Sequence, residues 1–192
     1  MKTTDNRLDS SSAPEQIAAG STQHLTTRTG FRFQVRPVTE ADEPALAEFF
    51  RHVTPDDLRF RFLTAVDEVS HARLSDMLRV DQQTTMSFLV EGSDQPGLVI
   101  AAAMLAADSQ LERAEVAISI RADHKGRGIG WTLLDHLAGL AQNKGIKVLE
   151  AIESRDNHAA ISLEREMGFT GEAVEGDPSL ILLRRQLDVR GK

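Results

Sequence analysis

The sequence predicts an α/β (α+β) domain in which a mixed sheet carries helices on both faces. Three observations lead there. Apolar residues recur with a period of two in several short runs and at helical spacing in others. Along the chain these runs fall in the order β-α-α-α-β-β-β-α-β-α-β-β without an internal repeat, so strands and helices interleave around one sheet. A glycine-rich turn separates one strand from the longest amphipathic helix.

The elements follow in order. Residues 1–30 are polar, with scattered apolar residues and runs such as Asp9-Ser10-Ser11-Ser12, and read as a flexible N-terminal tail in which a short helix can form near Glu15 to Ala19. On that reading, removing Met1 to Thr29 leaves folding and ligand binding intact. The folded domain occupies residues 31–192. It begins with Phe31, Phe33 and Val35 alternating with polar residues, a half-buried strand stopped by Pro37. Thr39 is placed to cap a helix that carries Ala45, Leu46, Phe49 and Phe50 on one face. Thr54 before Pro55 starts a second helix to about Phe62, and a third spans about Ser70 to Arg79 with Leu74, Met77 and Leu78 inward. Strands follow over about Thr84 to Glu91 and Gly97 to Ala107, joined by Gly92-Ser93-Asp94-Gln95-Pro96. A third runs from Arg113 to Ile120, with Val116, Ile118 and Ile120 on one face. The helix from Gly130 to Asn143 aligns Leu133, Leu134, Leu137, Leu140 and Ala141 on one side. A strand at Lys147 to Ile152, a helix at Asn157 to Met167, and strands near Phe169 to Ala173 and Leu180 to Leu187 complete the chain.

Composition narrows the function. Of 192 residues, 41% are apolar, enough for a core, and none is cysteine, which excludes disulfides, zinc–thiolate sites and a cysteine nucleophile. The net charge of -7 argues against general nucleic-acid binding, which needs a surplus of Lys and Arg to displace counterions. No apolar run approaches the ~20 residues that span a bilayer, and no basic segment followed by an apolar one opens the chain. The expectation is a cytoplasmic protein without a membrane partner. The six histidines show no metal-ligand spacing, so no metal is expected.

An anion would therefore need a local site, and the turn Asp123-His124-Lys125-Gly126-Arg127-Gly128-Ile129-Gly130 offers one. Glycines let backbone N–H groups approach a phosphate, the helix N-terminus adds unpaired donors, and Lys125 and Arg127 add charge. The spacing matches neither Gly-x-x-x-x-Gly-Lys-Ser/Thr nor Gly-x-Gly-x-x-Gly, which excludes the P-loop and dinucleotide fingerprints. A three-glycine turn also has a purely structural reading.

Lys125-x-x-Gly128-x-Gly130 resembles the Gln/Arg-x-x-Gly-x-Gly/Ala signature of the GNAT N-acetyltransferases, with Lys125 where that family prefers Gln or Arg. The resemblance covers about Phe31 to Leu187, including the block Asn157…Met167-Gly168-Phe169. It implies the GNAT fold, a mixed, mostly antiparallel sheet flanked by helices, and acetyl-CoA as cosubstrate without a metal. It further implies that the amides of Lys125, Gly126, Arg127, Gly128, Ile129 and Gly130 hold the pyrophosphate. The backbones of Ile118 and Ile120, in a bulged strand, would then meet the pantetheine arm, and Asn157 would face the CoA. An ordinary helix cap is the alternative role for Asn157.

Acetyl transfer to an amine needs a neutral nucleophile. With a reference pKa of ~10.4, about one lysine in 2,500 is neutral at pH 7, a cost of roughly 4.6 kcal/mol, and a positioned carboxylate or His is the usual remedy. Glu115, in the strand before the turn, is the candidate base; its alternative is a solvated carboxylate paired with Arg113. His124 is a weaker candidate base. The segment Thr54 to Phe62 together with Arg113-Ala114-Glu115-Val116-Ala117 is similar to the bacterial protein lysine acetyltransferases that regulate acyl-CoA synthetases. That similarity implies a glutamate base at Glu115 and a protein substrate such as an acyl-CoA synthetase. Small amines are the alternative acceptor, and a non-catalytic acyl-CoA-binding sensor is a third reading. Where the family protonates the leaving thiolate with a tyrosine, this chain has Glu164 and no tyrosine at all. The expectation is that water protonates the thiolate or that it leaves unprotonated, and without a cysteine the transfer is direct, in a ternary complex.

Overall fold

The computed structural model describes residues 21–81 and 83–188. Its eight strands form one sheet in the order β1-β2-β3-β4-β5-β6-β8-β7. These are β1 (Gln23–Thr26), β2 (Arg32–Pro37), β3 (Thr85–Gly92), β4 (Val99–Ala107), β5 (Arg113–Ile120), β6 (Val148–Ser154), β7 (Thr170–Val174) and β8 (Asp177–Gln186). Only β5 and β6 run parallel; the other six pairings are antiparallel. Among the described residues five α-helices cover the sheet: α1 (Glu43–Phe50), α2 (Pro55–Phe62), α3 (His71–Leu78), α4 (Ile129–Asn143) and α5 (His158–Glu166). The architecture is the mixed, mostly antiparallel sheet with two helical layers that was expected.

Two cores hold these layers. On one face α4 packs Leu133, Leu134, Leu137 and Leu140 against Val35, Phe88, Leu105 and Val116 of the central strands. On the other, Leu46, Phe49 and Phe50 of α1, Leu58 of α2 and Leu74 and Leu78 of α3 meet Leu89, Val99 and Ala102. Each fully buried Leu or Phe contributes roughly 1.5–3 kcal/mol by leaving water. The caps fall where the sequence puts them. The Thr54 hydroxyl accepts the Asp57 N–H at 3.2 Å at the start of α2, and Ser70 does the same for Arg73 at 3.5 Å at the start of α3. Thr39 caps a short 3-10 turn over Glu40–Asp42 that leads into α1, rather than α1 itself.

The N-terminal boundary needs correction. Residues 1–20, including the helix expected near Glu15, lie outside the described residues, but residues 21–30 are part of the sheet. Gln23–Thr26 pairs antiparallel with Arg32–Val35. Such an edge strand needs little apolar patterning because its backbone supplies the pairing, and half-buried and exposed residues alternate along it without one fully buried side chain. The following turn is anchored inward. Thr27 is buried, its hydroxyl accepts the Phe31 N–H at 3.0 Å, and the Thr29 hydroxyl donates to the Arg127 carbonyl at 2.9 Å. Arg28 stacks over the Trp131 ring at 3.7 Å. The hairpin therefore props the glycine turn from behind.

Removal of Met1 to Thr29 is thus no longer expected to be harmless. Against a chain beginning at residue 21, it should lower the melting temperature by ~5–10 °C, at ~2–4 °C per kcal/mol for a chain of this size. Equal melting temperatures for the two forms in thermal denaturation would show that the hairpin adds nothing.

Candidate functional site

The site begins where two neighbouring strands part. β5 and β6 pair only through Arg113–Val148, Ala114–Leu149 and Glu115–Glu150. Beyond that point β5 stays with β4 as far as Ile120–Ala101, while β6 stays with β8 as far as Ser154–Leu180. The sheet forks at Glu115, and a cleft of about 370 Å³ opens between the prongs. Glu150 sits at the crotch, with Arg184 of β8 at 2.7 Å and Arg113 at 3.9 Å. Arg113 therefore partners Glu150, not Glu115 as the structural alternative supposed.

The fork leaves backbone groups of β5 facing the cleft. Arg113 accepts the Asp108 N–H at 2.9 Å and the Arg121 N–H donates to Ile100 at 2.9 Å, so both point toward β4. In an antiparallel pair the polar groups of successive residues alternate sides. Val116, Ile118 and Ile120 then aim their N–H and C=O groups away from β4, toward the space that β6 has left. The strand carries no bulge in its register with β4, unlike the bulged strand that the resemblance implies; divergence of β6 exposes the edge instead. Val116 is buried, and Ile118 and Ile120 are half-buried against the α4 core, as expected of a shared face. Glu115 points to the opposite face, is exposed, and lines the cleft under α2.

At the far end of the cleft lies the glycine turn. Gly126 and Gly128 adopt positive φ values of 73° and 81°, a region that disfavours any side chain. A Cβ at Gly128 would also press on Thr27 at 3.3 Å. The first helical bond of α4 runs from Thr132 to the Gly128 carbonyl at 3.2 Å, and no side chain caps the helix. The N–H groups of Ile129, Gly130 and Trp131 are thus the unpaired donors of a helix N-terminus, where the dipole favours an anion. The two cations of the turn are otherwise engaged. Lys125 is ion-paired with Asp57 of α2, which ties the turn across the cleft, and Arg127 lies over the Phe31 ring at 5.2 Å. His124 is buried with Nδ1 on the Asp123 carboxylate at 2.8 Å, so it serves the turn. Asn157 does two things at once: its Oδ1 accepts the Ala160 N–H at 3.4 Å to cap α5, and its Nδ2 donates to Glu153 at 2.7 Å.

Arg61 of α2 and Glu153 of β6, which the sequence reading did not assign to the cleft, line its walls together with Glu164 of α5, the residue that the resemblance sets where the family has a tyrosine. Burial lowers the Arg61 pKa, and the nearby charges of Glu115 and Glu153 oppose that shift. Burial pushes Glu153 up to about 7, against the Asn157 hydrogen bond and the Arg61 charge. Glu164 is pushed up to about 8 by burial, with the Glu153 charge adding to it. Its Oε2 has no hydrogen-bond partner among the described residues. Leaving a buried polar atom unsatisfied costs about 1–3 kcal/mol, which asks for a use. No local pattern marks these residues, because their burial comes from packing across the cleft. No cluster of His, Asp or Glu among the described residues could hold a metal ion, and no described helix is long and apolar enough to cross a membrane.

Known proteins resemble this chain in sequence or in fold. A Pseudomonas aeruginosa acetyltransferase is 27% identical over 154 residues, covering 80% of this chain and 83% of its own length. The GNAT domain of S. lividans PAT superposes with a TM-score of 0.78 at 23% identity, covering 86% of this chain and 97% of that one. The Vibrio cholerae spermidine N-acetyltransferase, solved in complex with CoA and spermine, has the same fold, with a TM-score of 0.66 at 17% identity over 81% of this chain and 95% of its own. A model of the Acetyltransferase (GNAT) family matches residues 47–169, which run from α1 through the forked strands and the glycine turn to the end of α5 and its Gly168-Phe169 stop. The chain belongs to the GNAT acetyltransferase family.

Proposed function

We propose that this protein is an acetyl-CoA-dependent N-acetyltransferase that acetylates a lysine of a protein substrate by direct transfer in a ternary complex, with Glu115 as the general base. The observation that carries the reading is the fork. It lines up a glycine turn with unpaired helix N-terminal amides, a stretch of free strand edge and a carboxylate along one cleft. That sequence of surfaces matches a pyrophosphate, an amide-bearing arm and a reacting thioester. The V. cholerae enzyme of the same fold binds CoA.

Each residue then has a task. The N–H groups of Gly126 to Gly130 hold the pyrophosphate, with Lys125 and Arg127 shaping the turn more than supplying free charge. The Ile118 and Ile120 backbones pair with the amides of the pantetheine arm as an added strand would. Asn157 and the α5 N-terminus close the opposite wall. Glu115 takes the proton that the acceptor ammonium must lose, a step that otherwise costs roughly 4.6 kcal/mol at pH 7. Arg61 lies within electrostatic reach of Glu115 and Glu153 and balances their charge.

The choice of a protein acceptor rests on the likeness of Thr54 to Phe62 and Glu115 to lysine acetyltransferases of acyl-CoA synthetases, and on the mouth of the cleft. There α2 ends on Leu63, an exposed apolar residue in the left-handed region (φ 52°), beside Phe60 and Arg61. Such a rim suits an extended surface better than an enclosed polar pocket suits a small amine. The small-amine reading keeps the same chemistry and differs only in the acceptor.

Glu115→Gln should leave acetyl-CoA affinity within a few-fold and lower kcat by ~10²–10⁴, the usual worth of a positioned base. Near-normal turnover in steady-state assays would return Glu115 to a solvated strand carboxylate. For the acceptor, kcat/KM should rank an intact acyl-CoA synthetase well above its lysine-bearing peptide and above a panel of polyamines and amino acids. A small amine that outperforms the synthetase replaces the protein-substrate reading.

A further inference from the structure

Arg28 is a cation beside the glycine turn whose charge nothing in the described fold balances. It stands at the tip of the β1–β2 hairpin. There the Thr27 carbonyl accepts the Gly30 N–H at 2.9 Å and the Thr27 hydroxyl accepts the Phe31 N–H at 3.0 Å. The tip is thus held in shape, and its two residues reach the glycine turn at different places. Thr29 donates to the Arg127 carbonyl at 2.9 Å, while Arg28 lays its guanidinium over the ring of Trp131, in the first turn of α4, at 3.7 Å. The basic residues of the turn itself are engaged. Arg121 pairs with Asp123 at 2.9 Å and Lys125 with Asp57, and Arg127 donates to the Asp123 carbonyl at 3.4 Å. Among the described residues no carboxylate or carbonyl holds Arg28. The hairpin also lies outside residues 47–169, so the pattern shared with the family does not reach it.

We propose that Arg28 binds the 3′-phosphate on the adenosine of the cosubstrate, and thereby makes the enzyme select CoA thioesters over their 3′-dephospho counterparts. The assignment rests on the acetyl-CoA reading and extends the same site outward.

Direction, charge and geometry support it. With the thioester at Glu115 and the pyrophosphate on the amides at the start of α4, the nucleotide leaves the cleft past Trp131. That residue lines the cleft, and Arg28, exposed and no part of the cleft wall, lies against it. A phosphate monoester carries about −1.5 to −2 charges at pH 7. In a chain of net charge -7 it needs a local cation. On the other bank of the cleft, in the loop between β6 and α5, Arg155 is taken up by the Pro178 carbonyl at 2.9 Å and Asp156 by Arg59 at 3.5 Å. The hairpin bank is the one with a guanidinium to spare. Stacked flat on an indole, a guanidinium keeps its N–H edge free for two parallel hydrogen bonds to phosphate oxygens. The stacking also removes in advance part of the freedom that binding would cost.

The test is calorimetry on the full chain with CoA and 3′-dephospho-CoA, which differ only in that phosphate. The wild type should bind CoA ~10-fold or more tightly than 3′-dephospho-CoA. Arg28→Gln should weaken CoA binding ~5–20-fold and leave 3′-dephospho-CoA within about twofold, and Arg28→Lys should recover part of the preference. In steady-state assays Arg28→Gln should raise KM for acetyl-CoA with kcat unchanged. One readout needs no variant: in protein labelled with 15N at arginine, the Arg28 Nε–H signal should shift with CoA and stay in place with 3′-dephospho-CoA. Equal wild-type affinity for the two ligands, or an Arg28 signal that answers both alike, overturns the assignment. So does an Arg28→Gln loss that is the same for both, as a disturbed hairpin would give. A wild type that binds neither ligand would instead refute the acetyl-CoA reading, and this assignment with it.

Discussion

The structure turns on the parting of β5 from β6. In a continuous sheet every interior strand spends its backbone donors and acceptors on both neighbours, and nothing polar is left for a ligand. Here the parallel pairing lasts for three residue pairs and ends at Glu115–Glu150. Past that point each strand keeps its outer partner, so the fold stays intact while one inner edge is released. The released groups face a cleft instead of bulk water, which makes them a template for an amide-bearing chain. The same divergence sets Glu115 at the closed end of the fork and the start of α4 at the other end of the cleft. On the proposed reading, one feature of sheet topology places both binding and chemistry.

Other elements keep the fork open and filled with the right charges. α2 packs across both prongs and is tied to the turn by the Asp57–Lys125 pair, while Arg61 lies within electrostatic reach of Glu115 and Glu153. On the opposite face, α5 brings Glu164 and the Asn157 cap against β6. Two carboxyls with raised pKa and one partly buried guanidinium are a stability burden in an otherwise apolar interior. Perturbed groups of this kind, gathered in one cleft, are what a proton-transfer site requires. Among the described residues, the other buried side-chain nitrogens and oxygens have hydrogen-bond partners, apart from the Ser87 hydroxyl and that of Ser119, which also lines the cleft.

Much of this was legible in the sequence because it is local. The leucines of α4, the Thr54-Pro55 start of α2 and the alternation in β5 fixed helices and strands to within a residue or two. Gly126 and Gly128 marked the turn because their positive φ values admit little else. What escaped was set by distant packing. Gln23–Thr26 has one leucine and pairs through its backbone, so β1 left no periodic trace. Glu153 looks like an ordinary polar position until packing across the cleft buries it, the burial of Glu164 leaves no local trace although the resemblance had singled that residue out, and Lys125 looked like a free cation until α2 supplied Asp57. The bulge carried over from the resemblance is absent from the β4–β5 register, since separation from β6 alone exposes the edge.

The central claim, that the fork is where the cosubstrate lies, is most directly tested by amide hydrogen exchange resolved residue by residue along β5. The N–H groups of Ala117 and Ser119 are already committed to β4, whereas those of Ile118 and Ile120 face the cleft. Acetyl-CoA should therefore slow exchange selectively at Ile118 and Ile120, and at the Gly128 to Trp131 amides of the turn, with little change at Ala117 and Ser119. Unchanged exchange at Ile118 and Ile120 under saturating acetyl-CoA, or slowing that ignores the alternation, would contradict the account.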